Sequence, residues 1–346
     1  MKVVVLAGGI STEREVSIVS GTLVCKALRR KGHEAILLDV FFGDDEIDIK
    51  TAFASAYDVD RSAEYITSFN ERKEDIIADR SDFFGPNVIR LCQAADIVFL
   101  ALHGEQGENG KVQAAFDLHG IRYTGSGYLS SALAMDKGLT KKLFALDNIP
   151  CPKGIVLVKD NYSKKLADYN MQFPVVVKPC CGGSSVGVDI VHDQEAYEAA
   201  IAHAFSYETE IIVEQYIKGR EFSVGIIGNE AYPVIEIAPI EGFYNYQNKY
   251  SSGAAVETCP ADLTDEQRER MKDYALKGFA ALFIDGYARL DFMMNEQGEM
   301  FCLEANTLPG MTPTSLLPQE AKAKGIDYED LCELLIAVSL QKYQNN

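Results

Sequence analysis

The chain has 346 residues, and chains of this length usually fold around more than one hydrophobic core, so we expect two or three domains. Apolar residues make up 47% and charged residues 24%, the balance of a folded protein rather than of a disordered chain. The formal net charge of −18 argues against nucleic acid or an anionic membrane as a partner, because both are bound by basic surfaces. A small anionic ligand is still compatible with this charge, since a few lysines and a metal ion can bind it locally.

The sequence carries no pattern typical of export or membrane insertion. Its start, MKVVVLAGG, has too short an apolar run for a signal peptide, and no apolar stretch approaches the roughly 20 residues of a membrane span. The eight cysteines are scattered without C-x-x-C spacing, which argues against a zinc site or a disulfide framework. We therefore expect a cytoplasmic protein with reduced thiols.

The first part of the chain alternates strands with helices. Four main elements are predicted there, in chain order: the strand Lys2–Ala7, the helix Glu15–Lys31 and the strands Glu34–Val40 and Ala95–Leu102. The acidic segment 43–85 has weak patterning, which predicts short helices and loops. Alternation of this kind is typical of a parallel α/β sheet, so a Rossmann-like domain is expected at the start of the chain.

The rest of the chain contains many short strands in hairpin-like order. A helix predicted over Met135–Asn148 is followed by Pro150 and Pro152, which break helices and indicate a domain junction. Helices are also predicted near residues 194–205, 264–282 and 326–342. The predicted strands are Gly154–Val158, Pro174–Pro179, Gly187–Val191, Glu210–Tyr216, Glu221–Ile227, Tyr232–Ala238, Tyr287–Met294 and Met300–Glu304. This order predicts an α+β fold.

A glycine- and serine-rich loop follows the strand that carries Lys178. Residues 182–187 of this loop read Gly-Gly-Ser-Ser-Val-Gly. Glycine lets backbone N–H groups approach an anion closely, and the lysine supplies positive charge, so we interpret the segment as a phosphate-binding loop. It lacks the spacing of a Walker A motif, and a plain hairpin loop with a surface lysine is the alternative.

A second motif places polar residues on two consecutive strands. A turn at residues 295–298 would pair position 294 with 299 and position 291 with 302. Because side chains alternate along strands, one face would then carry Arg289, Asp291, Glu304 and Asn306. The core side would carry Leu290, Phe292 and Leu303. Two carboxylates and an amide oxygen suit Mg²⁺, and an arginine beside them can hold developing negative charge. The alternative is an ordinary hairpin with a salt bridge.

Two loops and two strand ends complete the candidate site. The loop 307–316 leaves the predicted metal face, and the tyrosine-rich segment 242–253 has glycines at both ends, as expected of a mobile lid. Plain surface loops are the alternative for both. Glu13 and His103 follow strands at their carboxyl ends, where open α/β sheets bind ligands, although a structural role is the alternative for His103. Lys137 alone would be interpreted as a solvated charge.

Taken together, these motifs resemble the D-alanine–D-alanine ligases of the ATP-grasp superfamily. The resemblance runs to about Pro318 through Gly8–Ser17, Leu102–Gly104, Gly107–Gly110, Tyr123–Gly127, Met135–Lys137, Lys178–Pro179, Gly183–Gly187, Phe243–Tyr250, Arg289–Asp291 and Glu304–Thr312. It implies a Rossmann-like substrate domain at 1–130, followed by a two-lobed ATP-grasp fold with lobes at 131–217 and 218–346. The sequence departs from the family at Asn109, where aspartate is common, and at Cys180 and Cys181. Neither departure removes a group that the chemistry needs.

The resemblance implies that ATP activates one D-alanine as D-alanyl phosphate, which the amine of a second D-alanine then attacks. The residues implied for ATP are Lys137, Lys178, Glu214, Ile217 and Glu221. Two Mg²⁺ ions, replaceable by Mn²⁺, would be bound by Asp291, Glu304 and Asn306. The dipeptide would serve peptidoglycan precursor synthesis, and the enzyme would be a cytoplasmic homodimer.

The resemblance also assigns residues to the two amino acids. Glu13 would hold the ammonium of the first D-alanine and, with Ser184 and Tyr250, would link that subsite to the lid. Arg289 and the backbone N–H of Gly310 would stabilise the tetrahedral intermediate. The other substrate-binding residues that it implies are His103, Lys249, Ser315 and Leu316.

Two alternatives stay open on the sequence. A relative that joins D-alanine to D-serine or D-lactate would carry nearly the same motifs, although Lys249 and Tyr250 match the dipeptide-forming type and favour D-alanine. A nucleotide-binding protein without catalysis is the other alternative. The presence of Lys178, Arg289 and Asp291 argues against it.

Overall fold

The computed structural model describes residues 1–54, 56–183, 186–239 and 255–344. Its first sheet has three parallel strands in the order β2-β1-β3, namely β1 (Lys2–Ala7), β2 (Glu34–Asp39) and β3 (Ile97–Leu100). The sheet is accompanied by α1 (Arg14–Arg30), α2 (Val59–Thr67), α3 (Lys73–Asp79) and α4 (Val88–Ala94), with a 3₁₀ turn at Asn70–Arg72. Successive residues of β1 enter two different hydrophobic clusters, one on each face, which explains its uninterrupted apolar sequence.

Four helices connect the first sheet to the second, and they are α5 (Glu105–Glu108), α6 (Lys111–Leu118), α7 (Tyr128–Met135) and α8 (Lys137–Leu146). The helix predicted over residues 135–148 is present as α8, two residues shorter at each end, whereas α7 was not predicted. Asp136 is extended, with φ −84° and ψ 100°, and its side chain accepts a hydrogen bond of 2.9 Å from the Leu139 N–H. An aspartate at this position caps the helix that follows it, so α7 ends where α8 begins.

The second sheet is antiparallel, with the order β4-β7-β5-β6. Its elements are β4 (Gly154–Val158), β5 (Val175–Pro179), β6 (Asp189–Val191), α9 (Gln194–Ala204) and β7 (Glu210–Gln215), with a 3₁₀ turn at Leu166–Tyr169. Tyr197 and Ile201 of α9 pack into the cluster formed by Val175, Val177 and Val213. The opposite face of the sheet carries Lys178 and Glu214, which leaves charged groups on the side away from this cluster.

The third sheet is antiparallel in the order β11-β10-β8-β12-β13, with the short β9 paired to β8. Its strands are β8 (Gly219–Ile227), β9 (Glu230–Ala231), β10 (Ile235–Pro239), β11 (Ala255–Thr258), β12 (Tyr287–Asn295) and β13 (Met300–Asn306). The helix α10 (Asp265–Ala281) covers one face, where Met271 and Phe279 join the core around Phe222, Leu290 and Phe292. A capping box at Thr264 and Gln267 begins this helix.

The chain ends with α11 (Leu316–Ala323), α12 (Tyr328–Leu340) and a 3₁₀ turn at Gln341–Tyr343. Leu331 and Leu335 of α12 share a buried cluster with Val24 and Leu28 of α1, so the end of the described chain packs on its beginning. The predicted combination of a parallel α/β sheet with antiparallel α+β sheets is confirmed. Across the described ranges, no helix is both long and apolar enough to span a bilayer.

Candidate active site

The carboxyl ends of β1 and β3 bring Glu13 and His103 together. The hydroxyl of Ser11 donates a hydrogen bond of 2.7 Å to the His103 carbonyl and accepts one of 3.2 Å from the Glu13 N–H. A Cβ atom on Gly104 would lie 2.8 Å from Glu13 Oε2, and one on Gly183 would lie 3.3 Å from the same atom. Glycine at these two positions therefore lets the Glu13 carboxylate lie close to the backbone after β3 and to the backbone of the glycine-rich loop.

Both of these side chains are buried, with Glu13 8% and His103 7% exposed. Burial lowers the pKa of His103 below its usual range, despite the opposing charge of Glu13. The imidazole is consequently neutral at neutral pH, and its Nε2 lies 3.3 Å from Ser20 Oγ. A neutral, fixed imidazole beside a carboxylate can accept or donate a hydrogen bond without adding a charge.

A buried ion pair supports the turn that carries Glu13. Arg14 Nη1 lies 2.5 Å from Asp39 Oδ2 and donates a 2.8 Å hydrogen bond to the Gly9 carbonyl. Arg14 Nη2 donates to the Ile66 carbonyl at 2.9 Å. A Cβ on Gly8 would collide with Asp39, and the φ of Gly8, +74°, also favours glycine. The turn therefore requires glycine at position 8. The Arg14 side chain therefore ties the start of this turn, at Gly9, to Asp39 and to the Ile66 carbonyl.

The strands β12 and β13 carry the predicted polar face, but the predicted register is wrong. Position 294 pairs with 300 rather than 299, and Asp291 pairs with Glu304 rather than with 302. The register shifts between Asp291 and Phe292, so one extra residue lies in β13. Leu303 is that residue, and it lines the second cavity instead of facing the core as predicted. Above the shift, Arg289 pairs with Asn306, which places all four polar side chains on the cavity side.

These side chains form a compact polar cluster. Arg289 donates two hydrogen bonds of 2.9 Å to Asp291, one to each carboxylate oxygen. Ser223 Oγ donates a third, of 2.8 Å, to Asp291 Oδ1. Asn306 Oδ1 is buried and has no hydrogen-bond partner within the described part of the chain. A buried, unpaired amide oxygen next to two carboxylates is a donor set suited to a hard cation such as Mg²⁺.

Lys137, at the start of α8, connects this cluster to the glycine-rich loop. Its ammonium donates a hydrogen bond of 2.6 Å to the Gly182 carbonyl and lies 3.4 Å from Glu304 Oε2. The side chain is only 9% exposed, so the interpretation of Lys137 alone as a solvated charge is wrong. It can hold an anion between the loop and the polar face.

The second sheet contributes a buried group of three charges. Glu214 forms ion pairs with Lys178 through Oε1 and with Lys141 through Oε2, the latter at 2.6 Å. Burial alone would raise the pKa of Glu214, but the two lysines outweigh it and lower the pKa to about 2. Lys178 and Glu214 line the second cavity together with Ile217 and Glu221.

The loop after β13 closes the first cavity. Ser315 Oγ accepts a hydrogen bond of 3.1 Å from the Thr312 N–H, and a Cβ on Gly310 would lie 2.8 Å from that oxygen. Ser315 precedes α11, so the first turn of this helix begins at the cavity wall. Leu316 packs against Ile235 and Ile237. This wall combines a hydroxyl, backbone N–H groups and one apolar side chain.

The structure brings the predicted residues that it describes into two adjoining cavities. The first, of about 1160 Å³, is lined by Glu13, His103, Lys137, Glu221, Arg289, Asp291, Glu304, Asn306, Gly310, Ser315 and Leu316. The second, of about 340 Å³, is lined by Lys178, Glu214 and Ile217, and it shares Lys137, Glu221, Asp291 and Glu304 with the first. The predicted residues Ser184, Lys249 and Tyr250, and the predicted lid at 242–253, lie outside the described residues.

Three charged residues in or near this site, of which Glu320 is fully buried and the other two partly buried, were not assigned from the sequence. Glu108 lines the first cavity and accepts a hydrogen bond of 2.6 Å from the Gly104 N–H. Burial, together with the charge of Glu13, raises the pKa of Glu108 to about 8. Lys141 pairs with Glu214, and Glu320 on α11 fills the space beside Gly225 of β8. Glu108 follows the glycines of a loop at a strand end, and that position is the signal that could have identified it.

Known protein sequences are similar to this one along nearly the whole chain. Residues 2–126 match the family model described as D-ala D-ala ligase N-terminus, and residues 143–337 match the one described as D-ala D-ala ligase C-terminus. The chain is 45% identical to the D-alanine–D-alanine ligase of Pediococcus pentosaceus, with 97% of each sequence covered. It is 44% identical to that of Lacticaseibacillus casei, with 99% of this chain and 97% of the relative covered.

Solved structures give the same result. The D-alanine–D-alanine ligase of Bacillus anthracis in complex with ATP matches with a TM-score of 0.76 and 30% identity, covering 100% of this chain and 99% of that one. The VanG D-Ala:D-Ser ligase of Enterococcus faecalis matches with a TM-score of 0.77 and 29% identity, covering 98% and 99%. The fold, the two adjoining cavities and these similarities together show that the chain belongs to the D-alanine–D-alanine ligase family, whose members have the ATP-grasp fold.

Proposed function

We propose that this chain joins two D-alanines into D-alanyl-D-alanine, with ATP converted to ADP and phosphate. The observation that carries the proposal is the pair of adjoining cavities, which share the polar face of Arg289, Asp291 and Glu304. One cavity offers lysines for an anionic nucleotide, and the other offers Glu13 and Arg289 for an amino acid that carries both charges. Relatives that are 44–45% identical over nearly their full length are named D-alanine–D-alanine ligases, which supports catalysis over nucleotide binding alone.

ATP binds in the second cavity under this proposal. Lys137 and Lys178 neutralise phosphate charge, while Glu214, Ile217 and Glu221 contact the adenine and ribose. The B. anthracis relative crystallised with ATP supports this assignment to the family fold. The volume of about 340 Å³ suits a nucleoside whose phosphates extend toward the shared polar face.

The residues present also fit a metal ion. Asp291, Glu304 and Asn306 would hold Mg²⁺, or Mn²⁺ in its place, and the buried Asn306 oxygen without a partner in the described residues supports this donor set. The metal, when bound, neutralises phosphate charge and so favours phosphoryl transfer. Arg289 donates one hydrogen bond to each oxygen of Asp291 in this structure, so a cation bound there would share the carboxylate with the guanidinium.

In the first cavity, Glu13 binds the ammonium of the first D-alanine and so orients its carboxylate toward the shared polar face. The carboxylate accepts the γ-phosphoryl group to give D-alanyl phosphate, and the amine of the second D-alanine attacks its carbonyl carbon. Arg289 and the Gly310 N–H stabilise the negative oxygen of the tetrahedral intermediate before phosphate leaves. Ser315 and Leu316 bound the subsite of the second amino acid, and His103 supplies a neutral imidazole next to Glu13.

We further propose that the three sheets mark functional units at 1–130, 131–217 and 218–346. The product class suits peptidoglycan precursor synthesis, which is typical of the family, and the use of ATP suits the cytoplasm. Ser184, Lys249 and Tyr250 keep the roles that the family resemblance implies.

The test is an acceptor panel. Purified protein with ATP and Mg²⁺ is given D-alanine alone, or D-alanine with an equal amount of D-serine or D-lactate, and both phosphate release and product mass are measured. We expect phosphate release only when D-alanine is present, with D-alanyl-D-alanine as the main product in every mixture. Mainly mixed product would favour the D-serine or D-lactate alternative, and no amino-acid-dependent phosphate release would contradict ligase activity.

A further inference from the structure

The buried ion pairs of Glu214 point to a residue outside both cavities. Glu214 is 2% exposed and pairs with two lysines, Lys178 from its own sheet and Lys141 from α8. Lys178 lines the second cavity, whereas Lys141 is absent from the lining of either cavity formed by the described residues. Lys141 therefore contacts Glu214 from the side away from the cavities.

The helix α8 fixes the position of Lys141. Lys137 and Lys141 are four residues apart, so their side chains leave the same face of the helix about one turn from each other. Lys137 reaches the Gly182 carbonyl and Glu304, and Lys141 reaches Glu214. One helical face thus supplies cations to two of the carboxylates that border the second cavity, Glu304 and Glu214.

The charge balance shows what Lys141 contributes. Lys141, Glu214 and Lys178 together carry a net charge of about +1, whereas Glu214 and Lys178 alone would form a neutral pair. Isolated buried charges are strongly unfavourable, so Lys178 without Lys141 would serve mainly to neutralise Glu214. Burial lowers the pKa of Lys178, and so do the nearby charges of Lys141 and Lys137, while Glu214 raises it. An anion bound beside Lys178 would therefore stabilise its charged form.

We propose that Lys141 is a positioning residue for the nucleotide: it binds one oxygen of Glu214 and leaves the charge of Lys178 available to the phosphates of ATP. Lys141 acts through Glu214 and Lys178 and touches neither the nucleotide nor the reacting atoms. The proposal rests on the function proposed above, because it requires ATP in the second cavity.

This role predicts that loss of Lys141 affects charged and uncharged ligands differently. Loss of the Lys141 cation weakens binding of a ligand that carries phosphates, while a ligand that shares only the nucleoside part is little affected. A merely structural defect in the cavity would weaken both ligands alike. The comparison of ATP with adenosine therefore separates the two explanations.

The experiment uses the full-length chain with three substitutions. Lys141→Met removes the charge and keeps most of the side-chain length, Lys141→Arg keeps the charge, and Lys142→Met is the matched control because Lys142 is the next residue of the same helix and is exposed. For each protein we would measure the melting temperature, the affinity for ATP with Mg²⁺ by calorimetry, and the affinity for adenosine by competition with ATP. Steady-state kinetics would give KM for ATP and for D-alanine separately.

We expect Lys141→Met to weaken ATP binding by about tenfold or more and adenosine binding by less than about threefold. KM for ATP should rise without a matching rise in KM for D-alanine, Lys141→Arg should recover most of the loss, and Lys142→Met should behave as wild type. If Lys141→Met does not fold, Lys141→Gln replaces it in every measurement.

Equal weakening of ATP and adenosine, or ATP affinity in Lys141→Met equal to that of the Lys142→Met control, would overturn the proposal. These outcomes differ from failure of the proposed function, in which the wild-type protein itself would show no D-alanine-dependent phosphate release.

Discussion

The buried pair of Arg14 and Asp39 gives a quantitative test of what stabilises the turn that carries Glu13. The Arg14 side chain is 3% exposed and that of Asp39 is fully buried. Replacement by methionine, Arg14→Met, keeps an unbranched side chain and removes the guanidinium. It deletes the ion pair with Asp39 and the hydrogen bonds to the Gly9 and Ile66 carbonyls and to the Asn70 side chain.

The expected loss of stability follows from the unpaired charge of Asp39 that the substitution leaves in the core. Breaking a buried ion pair by removing one partner costs about 3–5 kcal/mol, because the remaining charge is uncompensated. Asp39 would keep hydrogen bonds from the N–H groups of Phe41 and Phe42, at 2.8 and 2.9 Å, which limits the loss to the lower part of that range. Arg30→Met, on the same helix, is the control, because Arg30 is 57% exposed in its pair with Glu329 and surface pairs contribute at most about 1 kcal/mol.

The assay is urea unfolding followed by circular dichroism, at pH 8 and pH 5. Burial already raises the pKa of Asp39 despite Arg14, and loss of Arg14 raises it further. The folded variant can then take up a proton on Asp39 at low pH, so its destabilisation relative to wild type should be smaller at pH 5 than at pH 8. A free energy of unfolding for Arg14→Met within about 1 kcal/mol of that for Arg30→Met at pH 8 would refute the reasoning.

Two further predictions concern carboxylates of the first cavity. Glu304→Gln removes one proposed metal ligand, so turnover should fall by about 100-fold or more with little change in melting temperature; near-normal turnover with unchanged Mg²⁺ dependence would contradict the metal assignment. Glu108 has its pKa raised to about 8 by burial, so the folded protein holds a proton that the unfolded chain has already lost, and stability should fall as the pH rises from about 5 to about 8. In ligand-free protein, Glu108→Gln should reduce this fall in the free energy of unfolding by about 1–3 kcal/mol, measured by denaturant unfolding at each pH. If the free energy of unfolding changes with pH in parallel for the two proteins, Glu108 does not titrate in this range.

The regular elements of the first sheet were predictable because their physical cause is local. The strand Lys2–Ala7 has the predicted bounds, and α1 begins and ends one residue before the helix predicted at Glu15–Lys31. A strand of a parallel sheet is buried on both faces, so its apolar run ends where the strand ends. The helix α7, which ends one residue before Asp136, was not predicted.

The hairpin of β12 and β13 shows what alternation along strands can and cannot predict. The shared face of Arg289, Asp291, Glu304 and Asn306 was predicted from a period of two residues, although the register was wrong. A bulge adds one residue to β13, and no residue type in this segment identifies it from sequence. The bulge moves Leu303 from the predicted core position to the second cavity and leaves both Phe292 and Cys302 in the core.

Buried charges were the least predictable part of the candidate site. Lys141, Glu108 and Glu320 belong to residue types that usually face solvent, yet the first two are partly buried and Glu320 is fully buried. Glu320 of α11, for instance, occupies space beside β8 because Gly225 has no side chain. The assignments of Lys137, Glu214 and Glu221 depended on the family resemblance, since no local pattern distinguishes them from surface charges.

Release of phosphate from ATP as a function of D-alanine, with the mass of the product determined in the same reaction, tests the proposed activity most directly. The proposed roles of the two adjoining cavities, with Lys178 in one and with Glu13 and Arg289 in the other, predict one phosphate for each D-alanyl-D-alanine formed. They also predict no appreciable phosphate release when D-alanine is left out. Phosphate release that is independent of D-alanine, or D-alanine-dependent release without dipeptide, would contradict the account.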